Sequence, residues 1–549
     1  MKKTFLYTGL AVLLSLSAAA QKDANAVKFS QTINKERGYS HLSILASDEY
    51  EGRETGKKGA WMAAEYIKKQ FQSFGLKGPV KDSPDPYFQK LGYASLSLAK
   101  SVLSVNGQDK ESLKDYYITP ASVSATGYDI KATSILFAGY GLNKEGYNEY
   151  EGQDVAGKVV MIFATGDPTA PAPTAPAQGG RRGMQSAGSQ QVKIKYLLDN
   201  KAAGVLVINP NVDNLDPRMK NALQNGNPYL KTADRVKNMA TAQALPIVVI
   251  GTSVANQILA SANTNLDDIK KKINESKKPA TVSLNVPVAF SAKSVETDVR
   301  AENVLGFLEG SDPKLKNEVL VVTGHYDHIG LVADPNAKDK VNNGADDDGS
   351  GTTGVLLLAE AFSKAKKAGK GPKRSILFMT VVGEEKGLLG SEWYSEHPVF
   401  PVENTIADLN TDMIGRIGEE YLGKPDSANY IYSVGSFKLS TELGKLSEQI
   451  NDTYTKMKLD YKYDDPKDTQ QIYYRSDHYN FAKLGIPVIF YYDGMLEQDY
   501  HRPGDEVSKI NFDLLAKRAH LTYYTAWELA NRPNRPVVDK NADGTPKTK

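Results

Sequence analysis

The 549-residue chain contains no cysteine. That excludes disulfides, thiolate metal sites and a cysteine-borne lipid anchor, so any bound metal must rest on nitrogen and oxygen donors. It also has no surplus of either charge, with 67 Lys and Arg against 65 Asp and Glu. Such a balance gives no electrostatic footprint for nucleic acid or an acidic polymer. Beyond the N-terminus no apolar run is long enough to span a bilayer, so no stable membrane insertion is expected. No internal repeat is present. What the chain does have, at its start, is a basic Met1-Lys2-Lys3, an apolar stretch from Phe5 to Leu16 and small residues up to Ala20. This pattern predicts a secretory signal peptide over residues 1–20, cut after Ala20, with a cut after Ala26 as the alternative. An exported protein without cysteine suits a periplasmic or extracellular address.

The length suits two or three domains. Helical spacing of apolar residues predicts a helix from Gly59 to Phe74, stopped by Gly75. Before it, Glu51, Gly52, Arg53 and Gly56 mark a tight loop, which reads either as surface or as a wall of an active site. From about 127 to 290 the texture changes to short apolar strands such as Val159–Phe163, with a helix from Val192 to Ala203, as in a self-contained α/β insert. The Pro-, Ala- and Gly-rich stretch 167–191 reads as a mobile loop. After residue 291, strands alternate with helices: Val304–Leu308, Val319–Thr323, Ser375–Val382, 404–410, Tyr430–Val434 and 486–491 against 353–367, 388–396, 441–454, 478–484 and 511–530. The expected fold class is α/β, a mixed, mostly parallel sheet flanked by helices, with a smaller inserted domain. The end, 532–549, reads as a polar, frayed tail.

Polar clusters follow the strands. Val319–Thr323 runs into Gly324, His325 and Asp327. N-G-A-D-D-D-G-S-G then leads into the helix from about Thr353. Gly383-Glu384-Glu385 follows the next strand, and Asn410-Thr411-Asp412-Met413 the one after. Ser476-Asp477-His478 opens a helix, and Tyr500-His501-Arg502-Pro503-Gly504-Asp505 closes the series. Ligands of open α/β sheets gather outside the carboxyl ends of strands. Three adjacent carboxylates in such a place repel one another unless a cation is present. Singly, each cluster has a plainer reading: a helix cap for Asp346–Asp348, a solvated pair for Glu384 and Glu385. A phosphate loop at Gly349–Gly351 lacks the lysine a Walker motif needs. Jointly, histidines and carboxylates at several strand ends suit zinc in a nitrogen and oxygen site.

In this order H-Y-D, G-A-D-D-D-G-S-G, G-E-E-K-G-L-L-G-S, N-T-D-M, S-D-H and Y-H-R-P-G-D resemble the M28 family of co-catalytic zinc metallopeptidases, over about 41–126 and 291–530. The insert resembles a protease-associated (PA) domain. The resemblance implies a discontinuous zinc-exopeptidase domain over 21–126 and 291–531, split by a PA-like domain over 127–290. It implies two Zn²⁺, with His325, Asp347, Glu385, Asp412 and His501 as ligands and Asp347 bridging. Glu384 becomes the general base, Asp327 the residue that orients His325, and Tyr500 a stabiliser of the tetrahedral intermediate. Two Zn²⁺ against three ligand carboxylates leave a net positive centre, which acidifies water. His328 is implied to be a pocket residue rather than a ligand. His478 is a possible substrate contact, while Tyr473 and Tyr474 read chiefly as packing beside the helix.

The implied activity is that of an exopeptidase acting on peptides, first an aminopeptidase. The alternative is a carboxypeptidase of the glutamate carboxypeptidase type. A single-zinc glutaminyl-cyclase-like transferase and a metal-free binding ectodomain fit less well, because all five ligand positions and the base are intact. The single clear helix after Val507 suggests a monomer or weak oligomer.

Overall fold

A computed structural model describes residues 22–81, 83–124, 126–170, 181–233, 235, 245–541 and 544–547. The signal-peptide reading of residues 1–20 lies outside them. The chain forms two compact units: one joins the residues up to Leu91 with those from Arg300 onward, and the other is Gly92–Val299. The insert is therefore wider than the 127–290 expected from sequence texture. Its first strand, Tyr93–Val105, pairs antiparallel along Val288–Asp298, from Ala94 opposite Asp298 to Val105 opposite Val288. That pairing draws residues 92–126 into the insert, and no local pattern announces it.

The first unit is built on an eight-stranded sheet. Its order is Phe88–Lys90, Glu302–Leu308, Ser375–Val381, Val319–His325, Thr405–Thr411, Val488–Tyr492, Tyr430–Val434 and Lys458–Asp460. The four strands in its middle run parallel to one another. Every residue of those four is buried, as their near-continuous apolar sequences require of a sheet covered on both faces. The helix Gly351–Lys367 is almost wholly buried. It packs against Lys35–Leu45, Lys58–Phe74 and Phe512–Asn531. The fold is thus a mixed, mostly parallel sheet flanked by helices.

Both ends of this unit are tied down. Asp23 caps the helix Ala24–Ser30 through hydrogen bonds from Asn25 N and Ala26 N, and accepts the Trp527 indole N–H at 3.1 Å. The tail, expected to fray, is held as far as Asp539. Arg535 pairs with Glu318 at 3.0 Å, Val537 N donates to Glu442 at 2.9 Å, and Asp539 accepts Thr441 N at 2.8 Å.

The second unit holds two larger sheets and a two-stranded pair, Asn143–Lys144 with Tyr147–Asn148. One runs Val282–Leu284, Ile135–Phe137, Val159–Phe163, Gly204–Ile208, Ile247–Ile250 and Tyr116–Tyr117. The other is centred on the Tyr93–Val105 and Val288–Asp298 pair. A helix spans Arg181–Asp199, where the sequence suggested a loop to residue 191. The prolines of that stretch, Pro168, Pro171, Pro173 and Pro176, all precede Arg181, so nothing after them blocks helical hydrogen bonding.

Candidate metal centre

The four parallel strands end along one edge, and each delivers a polar group there. Val319–His325 ends on His325 itself. Ser375–Val381 is followed by Glu384 and Glu385, Thr405–Thr411 by Asp412, and Val488–Tyr492 by the loop carrying Tyr500 and His501. Asp347 arrives from the turn before Gly351–Lys367. Gly344 makes that turn possible: its φ is +57°, and a Cβ there would lie 2.3 Å from Asp347 O and 2.6 Å from the His328 ring.

The acidic triplet divides its work. Asp348 accepts hydrogen bonds from His325 N at 3.0 Å, Gly351 N at 2.9 Å and Met413 N at 3.0 Å, joining three motifs. Asp346 accepts from Gly415 N at 2.7 Å. The backbone N–H groups of Asp346 and Asp347 both donate to the Asp505 carboxylate, at 3.0–3.1 Å. The peptide between Asp347 and Asp348 is cis. With its neighbours engaged in the frame, Asp347 is the one carboxylate of the three aimed at the histidines.

Asp347 faces two donor sets with its two oxygens. Oδ1 lies 3.3 Å from His325 Nε2, which is also 3.6 Å from Asp412 Oδ1 and 3.9 Å from Glu384 Oε2. Oδ2 lies 3.1 Å from His501 Nε2, which is 3.0 Å from Glu385 Oε2. Among the described residues, His325 Nε2, His501 Nε2 and Asp347 Oδ2 are buried without a hydrogen-bond partner. Buried polar atoms are normally paired, and convergent imidazole nitrogens and carboxylate oxygens are the donors zinc takes. Donors held about 2.0–2.1 Å from one tetrahedral ion stand about 3.3 Å apart, close to the separations within each set. The residues therefore fit zinc.

The local field points the same way. Burial works against charging His325, yet Asp412 and Glu384 lead the carboxylates that hold its imidazole well above the usual value. Burial likewise opposes Asp347 ionisation, while His325 and His501 hold its carboxyl well below the carboxylate range. His501 is desolvated too, but Asp347 and Glu385 lift it to about 10. A field that favours imidazolium here favours a divalent cation. Glu384 differs: burial first, then Glu385, Asp412 and Asp477, push it well above the usual range against the pull of His325.

Around the donors lies a supporting layer. Ser476 donates to Asp412 Oδ2 at 2.7 Å and accepts from Asn410 at 2.8 Å. Asp327, expected to orient His325, does so through its main chain, with His325 Nδ1 3.1 Å from Asp327 O and 3.7 Å from the carboxylate. That carboxylate instead accepts Glu384 N at 3.3 Å and the Thr55 hydroxyl at 2.6 Å. His328 is fully buried and its Nδ1 is 2.7 Å from Glu385 Oε1. Tyr500 stacks on the His501 ring with centroids 3.8 Å apart, and its hydroxyl accepts from Arg475 at 3.1 Å.

Beside Glu384 and Asp412 a pocket is walled by Met413, Ile472, Phe490, Tyr492 and Leu496, with Arg475 and Tyr500 at its polar side. His478, offered by sequence as a substrate contact, is fully buried and stacked on Phe490 at 4.8 Å. Burial lowers it to about 3, so it supports the wall as a neutral ring. Tyr473 is buried against His478, while Tyr474 is exposed. The sequence reading missed the parts played by Thr55 and Arg475. For Arg475 a signal existed, since it adjoins the S-D-H motif; for Thr55 the only clue was the E-G-R-E-T-G loop.

Comparison with known proteins agrees with this geometry. Residues 303–526 match the profile described as Peptidase family M28. A probable leucine aminopeptidase of Trichophyton verrucosum is 31% identical over 224 residues, covering 40% of this chain and 56% of that protein. A probable zinc metalloprotease of Pyrenophora teres f. teres is 26% identical over 303 residues, covering 49% and 60%. The chain thus spans little more than half the length of these curated relatives. Among solved structures, the aminopeptidase from Aneurinibacillus sp. strain AM-1 superposes with a TM-score of 0.48 at 17% identity, covering 94% of this chain and 98% of that one. Over residues 303–526 the chain is thus similar to Peptidase family M28.

Proposed function

We propose that the chain is an exported two-zinc aminopeptidase. The observation that carries this reading is Asp347, whose two oxygens face two separate nitrogen and oxygen donor sets, as a bridging ligand must. His325, Asp347 and Asp412 would hold one ion, and Asp347, Glu385 and His501 the other. Bound zinc would supply Lewis acidity, acidifying water and polarising an amide carbonyl.

The chain's own residues supply the rest. Glu384 stands 3.9 Å from His325 Nε2, next to both donor sets yet bound into neither hydrogen-bond frame by its carboxylate. It takes a proton from the attacking water and returns it to the leaving amine. Burial favours its neutral form, so taking the proton is the easier half of that exchange. Tyr500, held by Arg475 and by stacking on His501, donates its phenolic hydrogen to the developing oxyanion. The Met413, Ile472, Phe490, Tyr492 and Leu496 wall removes water and receives an apolar side chain. The substrate this wall favours is a peptide with an apolar N-terminal residue. The insert, whose strand ends carry none of these donors, keeps the reading of a protease-associated domain.

Arg475 favours one second reading. Its guanidinium faces the same pocket and would pair with a substrate carboxylate, as a carboxypeptidase requires. Hydrolysis of amino-acid p-nitroanilides beside N-blocked dipeptides separates the two, with Glu384→Gln as control. Cleavage of leucine and phenylalanine anilides, lost in the control, supports the aminopeptidase. Cleavage of N-blocked dipeptides alone moves the assignment to a carboxypeptidase.

The anchored first helix bears on where an export signal would be cut. Asp23 caps the first helix and Ala26 is fully buried, so a cut after Ala26 would strip a formed element. N-terminal sequencing of the secreted protein is expected to begin at Gln21; a start at Val27 would contradict the role given to Asp23.

A further inference from the structure

Three consecutive residues of the N-terminal segment, about 270 positions before the first motif, each touch a different part of the metal centre. Arg53 is fully buried. It donates to Tyr326 O at 2.8 Å, Asn343 O at 2.6 Å, Gly344 O at 2.8 Å and Leu45 O at 2.7 Å. It thereby lashes the His325 loop to the Asp347 turn. Glu54 forms a main-chain bridge with His328 and pairs with Lys386 at 3.1 Å, beside Glu385. Thr55 is buried, and its hydroxyl donates to Asp327 Oδ2 at 2.6 Å.

Thr55 has the most direct line to the chemistry. Asp327 hydrogen-bonds to both His325 and the peptide of Glu384. Its carbonyl receives His325 Nδ1, and its Oδ1 receives the backbone N–H of Glu384 at 3.3 Å. The carboxylate holds the Glu384 peptide and lies 3.7 Å from His325 Nδ1, whose hydrogen bond goes to the same residue's carbonyl, so its own position must be fixed. The short bond from Thr55 supplies this at the opposite oxygen, in a site closed to water. Without the hydroxyl, Oδ2 would be buried and unpaired, and the carboxylate would turn towards other donors. The turn would move the peptide of Glu384 and the plane of the His325 ring together. Outer partners of metal ligands commonly matter about 10–100-fold in affinity or activity.

We infer that Thr55, outside the residues that match the family profile, is a positioning residue: through Asp327 it sets both the first-metal histidine and the loop that carries Glu384. The inference rests on the two-zinc reading above and adds to it a part of the site that comes from the far end of the chain.

The test uses the full-length mature protein. Thr55→Val keeps the shape and removes the hydroxyl; Thr55→Ser keeps the hydroxyl. Zinc affinity is measured by competition with a chromophoric chelator, and kcat and KM on leucine p-nitroanilide. Expected for Thr55→Val is a loss of about 10-fold or more in kcat with KM within about twofold. The tighter-bound or weaker-bound zinc, whichever is lost in His325→Ala, should weaken by a similar factor, and Thr55→Ser should restore both. Equal kcat and zinc affinity in Thr55→Val and wild type would overturn the inference, as would equal impairment of the Val and Ser variants, which would make the effect one of packing. Thermal melting of the zinc-loaded variants identifies a fold defect, and the Ser variant then decides. If wild type binds zinc but cleaves no anilide, the aminopeptidase reading fails while the zinc arm still tests Thr55.

Discussion

The two units of this chain are built from nearly interchangeable strands. Val159–Phe163, Gly204–Ile208 and Ile247–Ile250 in the insert are short, apolar, parallel and buried, as are Val319–His325 and Ser375–Val381 in the first unit. What differs is the groups at and just beyond the strand ends. In the first unit these are His325, Glu384 with Glu385, and Asp412. In the insert they are Ala164, Asn209 and Gly251. All seven histidines of the chain lie outside residues 92–299. Strand sequence thus buys a sheet in both units, but chemistry only where the strand ends are furnished with donors.

The comparison is broken most sharply at Glu384. Glu384→Gln removes the proposed base and leaves the five candidate ligands in place, so anilide hydrolysis should fall by about 10³-fold or more with zinc content unchanged. A variant retaining a tenth of the wild-type kcat would mean that the base lies elsewhere. Next in size is the oxyanion partner. Tyr500→Phe deletes a hydroxyl but keeps the ring on His501, and should lower kcat about 10–100-fold with little change in KM. Arg475→Met should do less, because it acts on the reacting oxygen only through Tyr500. Steady-state kinetics of the two variants and their double mutant tests that order, since residues acting through one another give non-additive losses.

The five candidate donors and the candidate base were named through the resemblance of their motifs, which lie at or beyond strand ends or in the acidic turn. The structure brings His325, Asp347 and Asp412 together on one side, and Asp347, Glu385 and His501 on the other. Residues whose role depends on distant pairing were not legible in this way. Thr55 meets Asp327 across 272 positions, and no periodicity links E-G-R-E-T-G to H-Y-D. The loop's two sequence readings, surface or site wall, could be separated only by seeing Arg53 buried beneath it. The boundary at Gly92 was hidden for the same reason, because a thirteen-residue strand belongs to whichever unit supplies its partner. His478 was offered as a possible substrate contact because it lies in a motif, whereas its ring is buried and stacked on Phe490.

Acid should separate the two units again. His41 is buried, and desolvation with the nearby Arg37 lowers it to about 4 against an ordinary 6.5. Between those values the unfolded chain binds a proton at this position that the folded chain refuses, so stability falls as pH drops from 6.5 towards 4. The difference of about 2.5 pH units corresponds to roughly 3 kcal/mol. His41→Phe, which removes the titration, should narrow the loss by that order when denaturant midpoints are compared at pH 7 and pH 4.5. An identical pH dependence in the two proteins would show that His41 is protonated in the folded state.

The smallest expected effect falls on the insert. There the strand ends are closed by the unit's own groups. Asp213 accepts Thr252 N at 3.1 Å and 3.2 Å through its two oxygens, covering the start of the helix Thr252–Leu259, and Asn209 accepts Asn211 N at 3.0 Å. A helix start is a place where an anion could bind, and the chain's own carboxylate already serves it. Asp213→Asn should therefore cost about 1 kcal/mol of stability in the insert and leave anilide hydrolysis within about twofold. A large loss of kcat in this variant, with zinc content intact, would mean that the insert reaches the reaction by a route its own strand ends do not reveal. No loss would leave the contrast as drawn: the same strands in both units, with the chemistry added only where His325, Asp347, Glu384, Glu385, Asp412 and His501 follow them.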